Sequence, residues 1–368
     1  MTPVALPADL RSLTSLRFVA AIWVALYALW PALDVSFVPN IVSKGYLGVE
    51  LFFVLSGFIL SHVYLEAAGE KRYSHKSFLW ARIARVYPLH IATLLAVMAL
   101  AVAATFAGMN IDSNVMSWAS LPAHVTMTHA WGLAPVAGWN HPSWSISAEW
   151  FAYLTFPAFA WASWRMRERP WVAIGLALAA LFALYLGFAA LAGFPLTEAT
   201  FRWGALRIVP CFAYGCALYL AYRRAPLPHA GLFALGFAAL AAVSASLLLW
   251  DGVTVALLGG LILSLGSLAN DKAGVLASKP AVYLGEISYS VYMVCVPWQL
   301  VAVNVAARLV GAEDKKLPLL VWLVVLAGLP VAAAVSYHLV EYPARRFLRG
   351  LAERRARRAA RDASPQTA

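Results

Sequence analysis

The chain has 368 residues, of which 62% are hydrophobic and 12% are charged, and its formal net charge at pH 7 is +11. A soluble domain typically carries about 25% charged residues, so the composition excludes a soluble globular protein and predicts an integral membrane protein. Eight of the 28 Lys and Arg residues lie in the segment 345–361. Such a basic tail is typical of attraction to the anionic surface of the lipid bilayer, and we expect no nucleic-acid partner.

Ten apolar segments are long enough to cross the bilayer, since a transmembrane helix needs about twenty predominantly apolar residues. They predict an all-α integral membrane protein with about ten transmembrane helices. The predicted spans are 16–33, 46–65, 87–108, 144–163, 171–193, 204–222, 229–249, 252–269, 282–308 and 317–340. Residues 1–347 form the predicted membrane domain, and residues 348–368 form a basic tail that is expected to be partly disordered.

The charges of the connecting segments alternate along the chain. When the N-terminus is placed in the cytoplasm, 22 Lys and Arg residues fall on the cytoplasmic side and 5 on the outside. This asymmetry follows the positive-inside rule, so both termini are predicted to be cytoplasmic. The outer segment 109–143 carries no Lys or Arg but contains three tryptophans and three histidines. A long loop of this kind is often functional.

Glu149 is a carboxylate at the start of the fourth predicted span. A charged group inside the hydrocarbon layer is costly, so it indicates a functional site by default. The alternative is a structural carboxylate that pairs with a buried arginine. The segment that leads into Glu149 supplies candidate contacts for a cavity or an acceptor, namely Asn140, His141, Trp144, Ser145 and Ser147.

Three positions, one on each of three predicted helices, are expected at a similar depth in the membrane. Ala28 lies eleven residues after Arg17, and this spacing corresponds to about 16 Å along a helix. Glu149 enters the membrane from the outside, and Cys295 lies thirteen residues into the ninth span. If these helices are neighbours, the three positions line one polar cavity. The further candidates for this cavity are Tyr289 and Tyr292.

Arg82 and Arg85 lie three residues apart near the predicted inner face, so they share one face of a helix. Two guanidiniums on one face suit phosphate, and Tyr87 follows them as a further candidate contact. The alternative is that both arginines only mark the cytoplasmic side. Glu50 lies about one turn below the outer surface and could snorkel to the interface. The cysteines and histidines show no metal-ligand spacing, so we expect no metal site.

Six segments together resemble the acyltransferase-3 family of membrane acyltransferases, which includes bacterial O-antigen and exopolysaccharide acetylases. Each segment is weakly informative alone, but all six keep the family's order from residue 16 to residue 347, which makes the resemblance specific. The matching segments are 16–21, 48–58, 82–88, 144–149, 287–292 and 341–343.

The resemblance implies an acyltransferase in the bacterial inner membrane, with residues 1–347 as the acyltransferase domain. In this family a cytoplasmic acyl-CoA, most often acetyl-CoA, donates its acyl group to a sugar hydroxyl on the periplasmic side. The implied partners are acyl-CoA and a membrane-associated or periplasmic glycan, with no tightly bound cofactor and no metal. The family roles fall on Arg17 as the first-helix arginine, on Arg82 and Arg85 as contacts of the donor phosphates, and on Glu149 as the active-site carboxylate.

The sequence departs from the family pattern at the position of the expected general base. Ala28 stands where the family has a histidine, and alanine cannot accept a proton. Cys295 occupies a second position that often holds a histidine. Either the chain is a natural member with weak or no activity, or the base was replaced by engineering. The other motifs are intact, which favours an engineered change at position 28.

Two other functions stay open at this stage. A transporter or flippase could use Glu149, Glu50 and Arg207 as a proton or sugar pathway. The sequence shows no inverted repeat and no matching pair of broken helices, which disfavours a transporter. An inactive family member that binds acyl-CoA or a glycan is the other alternative, and Ala28 keeps it open.

Overall fold

The computed structural model describes residues 9–108 and 115–362, and α-helices dominate these two ranges. No β-strand occurs among these residues, although an isolated bridge joins Leu33 and Leu317. The predicted all-α fold class is therefore confirmed. The α-helices are α1 (Arg11–Leu29), α2 (Asn40–Ser43), α3 (Gly48–Gly69), α4 (His75–Phe106), α5 (Leu121–Val125), α6 (Trp144–Leu154), α7 (Phe156–Met166), α8 (Pro170–Ala192), α9 (Gly204–Arg224), α10 (Ala230–Ser246), α11 (Asp251–Ser267), α12 (Lys279–Glu286), α13 (Ser288–Val310), α14 (Leu319–Ser336) and α15 (Tyr342–Asp362).

Seven helical segments in the described part of the chain are long and apolar enough to cross a membrane. They are Arg11–Ala32, Gly45–Gly69, His75–Phe106, Pro170–Ala192, Gly204–Arg224, Ser288–Val310 and Leu319–Ala352. Helices α10 and α11 are also apolar but contain 17 residues each, and they coincide with the predicted spans 229–249 and 252–269. The chain is thus a multi-pass integral membrane protein, and the count of ten spans stays a prediction.

The predicted fourth span, 144–163, is not one continuous helix. Two helices of 11 residues each, α6 and α7, replace it, and Thr155 lies between them. Pro157 lies in the first turn of α7 and has no N–H group to donate to Tyr153, as a continuous helix would require. The hydroxyl of Thr155 donates to the carbonyl of Phe151 at 2.8 Å. The break leaves α6 as a short helix that carries Glu149.

Helices α3 and α9 pack closely because each presents a glycine to the backbone of the other. A Cβ atom at Gly57 would clash with the carbonyl oxygen of Phe212, and one at Gly215 would clash with the carbonyl oxygen of Val54. Small residues of this kind allow membrane helices to approach each other closely. Gly57, which lies in the segment 48–58, therefore has a packing role.

The connecting loops contact one another in two groups that agree with the predicted sides of the membrane. On the predicted inner side, Arg223 forms an ion pair with Glu66 at 2.5 Å. On the predicted outer side, Lys44 forms an ion pair with Asp251 at 2.5 Å. Further inner contacts join Asn270 to Asp9, Arg224 to Glu168 and Trp80 to Leu348, and further outer contacts join Asn40 to Ser246 and Asp34 to Leu317. This grouping is consistent with an even number of crossings.

We expect a membrane-impermeant maleimide to reach the two groups of loops from opposite sides. Leu133 is 65% exposed in the predicted outer segment, and Val275 is 80% exposed in a predicted inner loop. In intact cells with a permeabilised outer membrane, Leu133→Cys should be labelled, whereas Val275→Cys should be labelled only after the inner membrane is opened. The parent protein is the control, because its three cysteines are buried. Labelling of both variants from one side would contradict the predicted topology.

The C-terminal segment continues the last span as a helix. Helix α15 extends to Asp362 and therefore crosses the boundary predicted at residue 347. Residues 363–368 lie outside the described residues, as do 1–8 and 109–114. The disorder predicted for part of the tail falls partly on that final segment and stays a prediction.

Candidate active site

An inner cavity of about 120 Å³ lies between α1, α3, α4, α6 and α13. It brings together side chains that are far apart in the sequence and that were predicted to be functional for separate reasons. Its polar lining consists of Arg17, Ser56, Arg82, Arg85, Ser145, Glu149, Tyr153, Tyr289 and Tyr292. The first-helix arginine, the arginine pair and the membrane carboxylate thus share one cavity.

Glu149 is held by its own helix and is not tied to a single arginine. The hydroxyl of Tyr153, one turn further along α6, donates to Oε2 of Glu149 at 2.9 Å. The charges of Arg85 and Arg17 act on Glu149. Within the described residues, however, no arginine or lysine nitrogen lies within 4.0 Å of its carboxylate. Among the described residues Glu149 therefore has no ion pair, which argues against the alternative of a carboxylate that pairs directly with a buried arginine.

The three arginines of the inner cavity also have no direct carboxylate partner in the described part of the chain. Nε of Arg82 is buried without a hydrogen-bond partner, while its guanidinium lies 6.0 Å from the ring of Tyr64. A buried polar group that lacks a partner is costly, and a guanidinium presents donors in a geometry that matches phosphate. The cavity is therefore suited to an anionic ligand.

An outer cavity of about 520 Å³ lies on the other side of Tyr292. Glu198 and Thr200, from the loop between α8 and α9, form part of its wall, and this loop is predicted to face outward. Its lining also includes Ala28, His141, Trp144, Arg207 and Gln299. Nε2 of Gln299 donates to the carbonyl of Ala28 at 3.1 Å, so the backbone at position 28 is fixed to α13.

Two residues, Val49 and Tyr292, line both cavities and form the wall between them. The hydroxyl of Tyr292 donates to the carbonyl of Pro142 at 2.9 Å and accepts a hydrogen bond from Ser145 at 2.8 Å. The expectation of one cavity lined by positions 28, 149 and 295 therefore needs correction. Ala28 lines the outer cavity and Glu149 the inner one.

Cys295 is buried, but it belongs to a second apolar cluster that includes Ala21 and Ala25 of α1. It does not contribute to the lining of either cavity. Sequence spacing predicts the depth of Cys295 but not the direction of its side chain, which packs into this apolar cluster. The position of this thiol therefore gives no support to a role as an acyl carrier.

Several other predicted residues make hydrogen bonds that fix the site's backbone. Oγ of Ser147 accepts from the backbone N–H of Ala130 at 2.9 Å. The side-chain amide of Asn140 donates to the carbonyl of Met293 at 3.2 Å. These residues therefore hold the outer loop against α6 and α13.

Two predicted tyrosines lie near α4. The hydroxyl of Tyr289 donates to the carbonyl of Val86 at 2.7 Å. Tyr87 is half-buried, and its ring lies 6.4 Å from the ring of His90.

Glu50 does not snorkel to the interface, in contrast to the expectation from the sequence. It is fully buried, and its Oε1 and Oε2 accept from Nε and Nη2 of Arg207 at 2.5 and 2.9 Å. Nη1 of Arg207 donates to the carbonyl of Ala199 at 2.8 Å, and the guanidinium lies 4.6 Å from the ring of Trp144. Bidentate pairing satisfies both charges, so these residues brace the wall of the outer cavity.

Glu341 is a polar group of the site that the sequence reasoning noted only as part of a matching segment. It is buried, and its Oε2 accepts from Ser290 at 2.7 Å. The charges of Arg85, Arg17 and Arg345 act on it. In the sequence, only its place in the glutamate-tyrosine-proline segment at the inner end of the last span pointed to a functional role. Nothing in the sequence indicates which helix Glu341 faces.

Three buried histidines form a stack that joins the outer loop to α4. The ring of His129 lies 4.1 Å from that of His124 and 5.9 Å from that of His90, with the rings nearly parallel. Burial, followed by the charges of the two neighbouring imidazoles, lowers the pKa of His129 well below its usual value. This imidazole is therefore neutral at pH 7. The described residues hold no group of three or more histidine, cysteine, aspartate or glutamate side chains arranged for a metal ion.

Comparison with known proteins defines the class to which this membrane fold and its site belong. A family model described as an acyltransferase domain matches residues 10–341. The chain belongs to the acyltransferase-3 family, as the six sequence segments predicted. Acyltransferase MdmB of Streptomyces mycarofaciens is 29% identical over 332 residues, which cover 83% of this chain and 81% of that protein. Protein 2 in picA locus of Rhizobium radiobacter is 46% identical over 52 residues, or 14% of this chain and 27% of that protein. No solved structure matches the chain.

Proposed function

We propose that the protein is a membrane-bound O-acyltransferase of the bacterial inner membrane. It transfers an acyl group, preferentially acetyl, from cytoplasmic acyl-CoA to a carbohydrate hydroxyl on the periplasmic side. The observation that carries this proposal is the pair of cavities that meet at Val49 and Tyr292. The inner one is lined by three arginines and a carboxylate, and the outer one reaches a loop predicted to face outward. This arrangement suits a reaction between partners that arrive from opposite sides.

The inner cavity is the donor site in this proposal. Arg82 and Arg85 bind the diphosphate of acyl-CoA, because planar guanidiniums form paired charge-assisted hydrogen bonds with phosphate oxygens. The pantetheine arm then extends along the apolar part of the lining, which includes Phe52, Ile59 and Leu60. The thioester reaches the wall between the cavities near Tyr292.

The outer cavity is the acceptor site. Glu198 and Gln299 supply hydrogen-bond partners for sugar hydroxyls, and Trp144 offers an aromatic surface. In the transfer step, the sugar oxygen attacks the thioester carbon, the carbon–sulfur bond breaks, and the leaving thiol receives the proton of the hydroxyl. A base at position 28 would accept that proton from the outer cavity. Because Ala28 cannot do so, we expect this chain to bind its donor and to transfer the acyl group slowly.

A transporter is the main alternative function. The contacts of Glu50 and Arg207, which a transporter could use as a pathway, argue against it. Glu50 and Arg207 satisfy each other in a buried ion pair and do not line a continuous polar pathway with Glu149. The deciding experiment uses the purified protein in liposomes with acetyl-CoA inside and oligosaccharide acceptors outside. We expect slow release of free thiol that depends on the acceptor. Movement of labelled sugar or acetyl-CoA without loss of thioester would show a transporter instead.

We expect Arg82→Ala and Arg85→Ala each to weaken donor binding by about 10- to 100-fold, because each removes a charge-assisted hydrogen bond worth about 1.5–3 kcal/mol. Isothermal titration of the purified protein with acetyl-CoA measures this change. Arg72→Ala is the matched control, since Arg72 is exposed on the same predicted side and pairs with Glu70. Unchanged affinity in both cavity variants would leave these arginines as markers of the cytoplasmic side.

A further inference from the structure

The C-terminal helix places arginines beside the start of α4, which carries the arginine pair of the donor cavity. Helix α15 packs along the start of α4, and Nε1 of Trp80 donates to the carbonyl of Leu348 at 3.0 Å. Glu341, Arg345 and Arg349 are spaced four residues apart, so they follow one face of the helical segment. The charges of Arg17 and Arg85, which line the inner cavity, act on Glu341. Arg345 and Arg349 continue the same helix face along the start of α4.

The arginines of α15 and α4 form one electrostatic group. The charges of Arg345, Arg82 and Arg85 all act on Arg349. In the parts of the chain that the structure describes, none of these four guanidiniums forms an ion pair with a carboxylate within 4.0 Å. Neighbouring like charges repel each other, so four cations that pair with none of the described carboxylates favour the binding of a polyanion.

The order of the arginine pair and Arg349 along the packed helices α4 and α15 corresponds to the order of phosphates in coenzyme A. Arg82 and Arg85 line the cavity that contains Glu149. Leu348 is level with Trp80, which precedes Arg82 on α4, so the adjacent Arg349 lies nearer to the cytoplasm than the arginine pair. Starting from the thioester, coenzyme A presents first the pantetheine arm, then the diphosphate, and last the ribose 3′-phosphate.

We propose that Arg345 and Arg349 bind the ribose 3′-phosphate of the acyl-CoA donor, while Arg82 and Arg85 bind its diphosphate. This assignment rests on the proposed function and adds a second phosphate subsite, supplied by the C-terminal helix. It makes α15 part of the donor site. The chain therefore discriminates coenzyme A from its 3′-dephospho form.

An anionic lipid headgroup offers the same phosphate chemistry to these arginines, and the experiment must separate the two sources. The full-length protein is placed in nanodiscs of phosphatidylcholine, which has no net charge, and titrated calorimetrically with coenzyme A and with 3′-dephospho-coenzyme A. Arg345→Gln and Arg349→Gln are compared with Arg72→Gln. The control removes the same charge from an exposed residue on the same predicted side, which pairs with Glu70.

We expect the unsubstituted protein to bind coenzyme A about 10- to 100-fold more tightly than the dephospho form, as loss of a charge-assisted phosphate contact predicts. Arg345→Gln and Arg349→Gln should weaken coenzyme A binding by a similar factor and leave binding of the dephospho form unchanged. Retained binding of the dephospho form also shows that the variants are folded. Arg72→Gln should bind both ligands as the unsubstituted protein does.

Three outcomes would contradict these expectations, and each leads to a different conclusion. Equal affinity of the unsubstituted protein for both ligands would overturn the 3′-phosphate subsite while leaving the donor site itself intact. Unchanged coenzyme A binding in Arg345→Gln and Arg349→Gln, combined with weaker binding to vesicles that contain phosphatidylglycerol, would identify these arginines as lipid contacts. Failure of the unsubstituted protein to bind either ligand would instead overturn the proposed acyl-CoA donor.

Discussion

Substitution of Ala28 by histidine is expected to raise the rate of acyl transfer by about 100- to 10,000-fold, the usual contribution of a positioned general base. Ala28 lines the outer cavity, whose volume of about 520 Å³ leaves room for an imidazole beside the acceptor site. The hydrogen bond from Gln299 to the carbonyl of residue 28 involves only the backbone and is retained in the variant. The measurement is acetylation of an oligosaccharide acceptor by the reconstituted protein under saturating acetyl-CoA.

Two comparisons show whether the gain comes from a base. Ala28→Gln fills a similar volume with a polar group that cannot accept a proton at neutral pH, so its rate should stay at the level of the unsubstituted protein. Affinity for acetyl-CoA should be nearly equal in all three proteins, because position 28 does not line the donor cavity. A flat rate in Ala28→His together with a changed rate in Cys295→Ala would mean that the base lies elsewhere.

Within the Ala28→His background, Glu149→Gln is expected to remove most of the gained activity. Glu149 lies in the inner cavity, one helical turn from Ser145, which donates a hydrogen bond to Tyr292 of the wall. We expect its negative charge to act across this wall and to stabilise the imidazolium that forms when the base accepts the hydroxyl proton. Full retention of the gain in the double variant would show that the carboxylate has no part in the transfer step.

The second large effect concerns stability. Arg207→Met is expected to lower the free energy of unfolding by about 3–5 kcal/mol, because it leaves the carboxylate of Glu50 buried without a countercharge. Both side chains are almost completely buried, at 2% and 0% exposure. Unfolding in mixed detergent micelles, followed by tryptophan fluorescence, measures the change.

A double variant and an exposed pair are the controls for this prediction. Glu50→Leu combined with Arg207→Met should recover most of the lost stability, since replacing both buried charges by apolar groups of similar volume is often close to neutral. Arg11→Gln breaks an exposed pair with Asp9 and should cost no more than about 1 kcal/mol. A double variant as unstable as Arg207→Met would show that the loss arises from packing and not from the unpaired charge.

Part of the inner cavity could be predicted from the sequence. Glu149 is a charged group at membrane depth, Arg82 and Arg85 share one helix face, and the family resemblance gives Arg17 a role. The structure brings them to one cavity. The partner of Glu50 could not be predicted by the same reasoning. Arg207 is distant in the sequence, and only the close approach of α3 and α9 at Gly57 and Gly215 brings the two side chains together.

The sequence by itself determined the fold class and the family, and it predicts an approximate depth for each polar residue. These properties follow from local quantities, namely the length of apolar segments, the placement of basic residues and the rise of a helix. Only the tertiary structure decided which polar residues share a cavity. Ala28 and Glu149 lie on opposite sides of Tyr292, and the contact with α1 covers Cys295. The reason is that residue spacing fixes position along a helix axis, whereas the direction of a side chain relative to other helices depends on how the whole bundle packs.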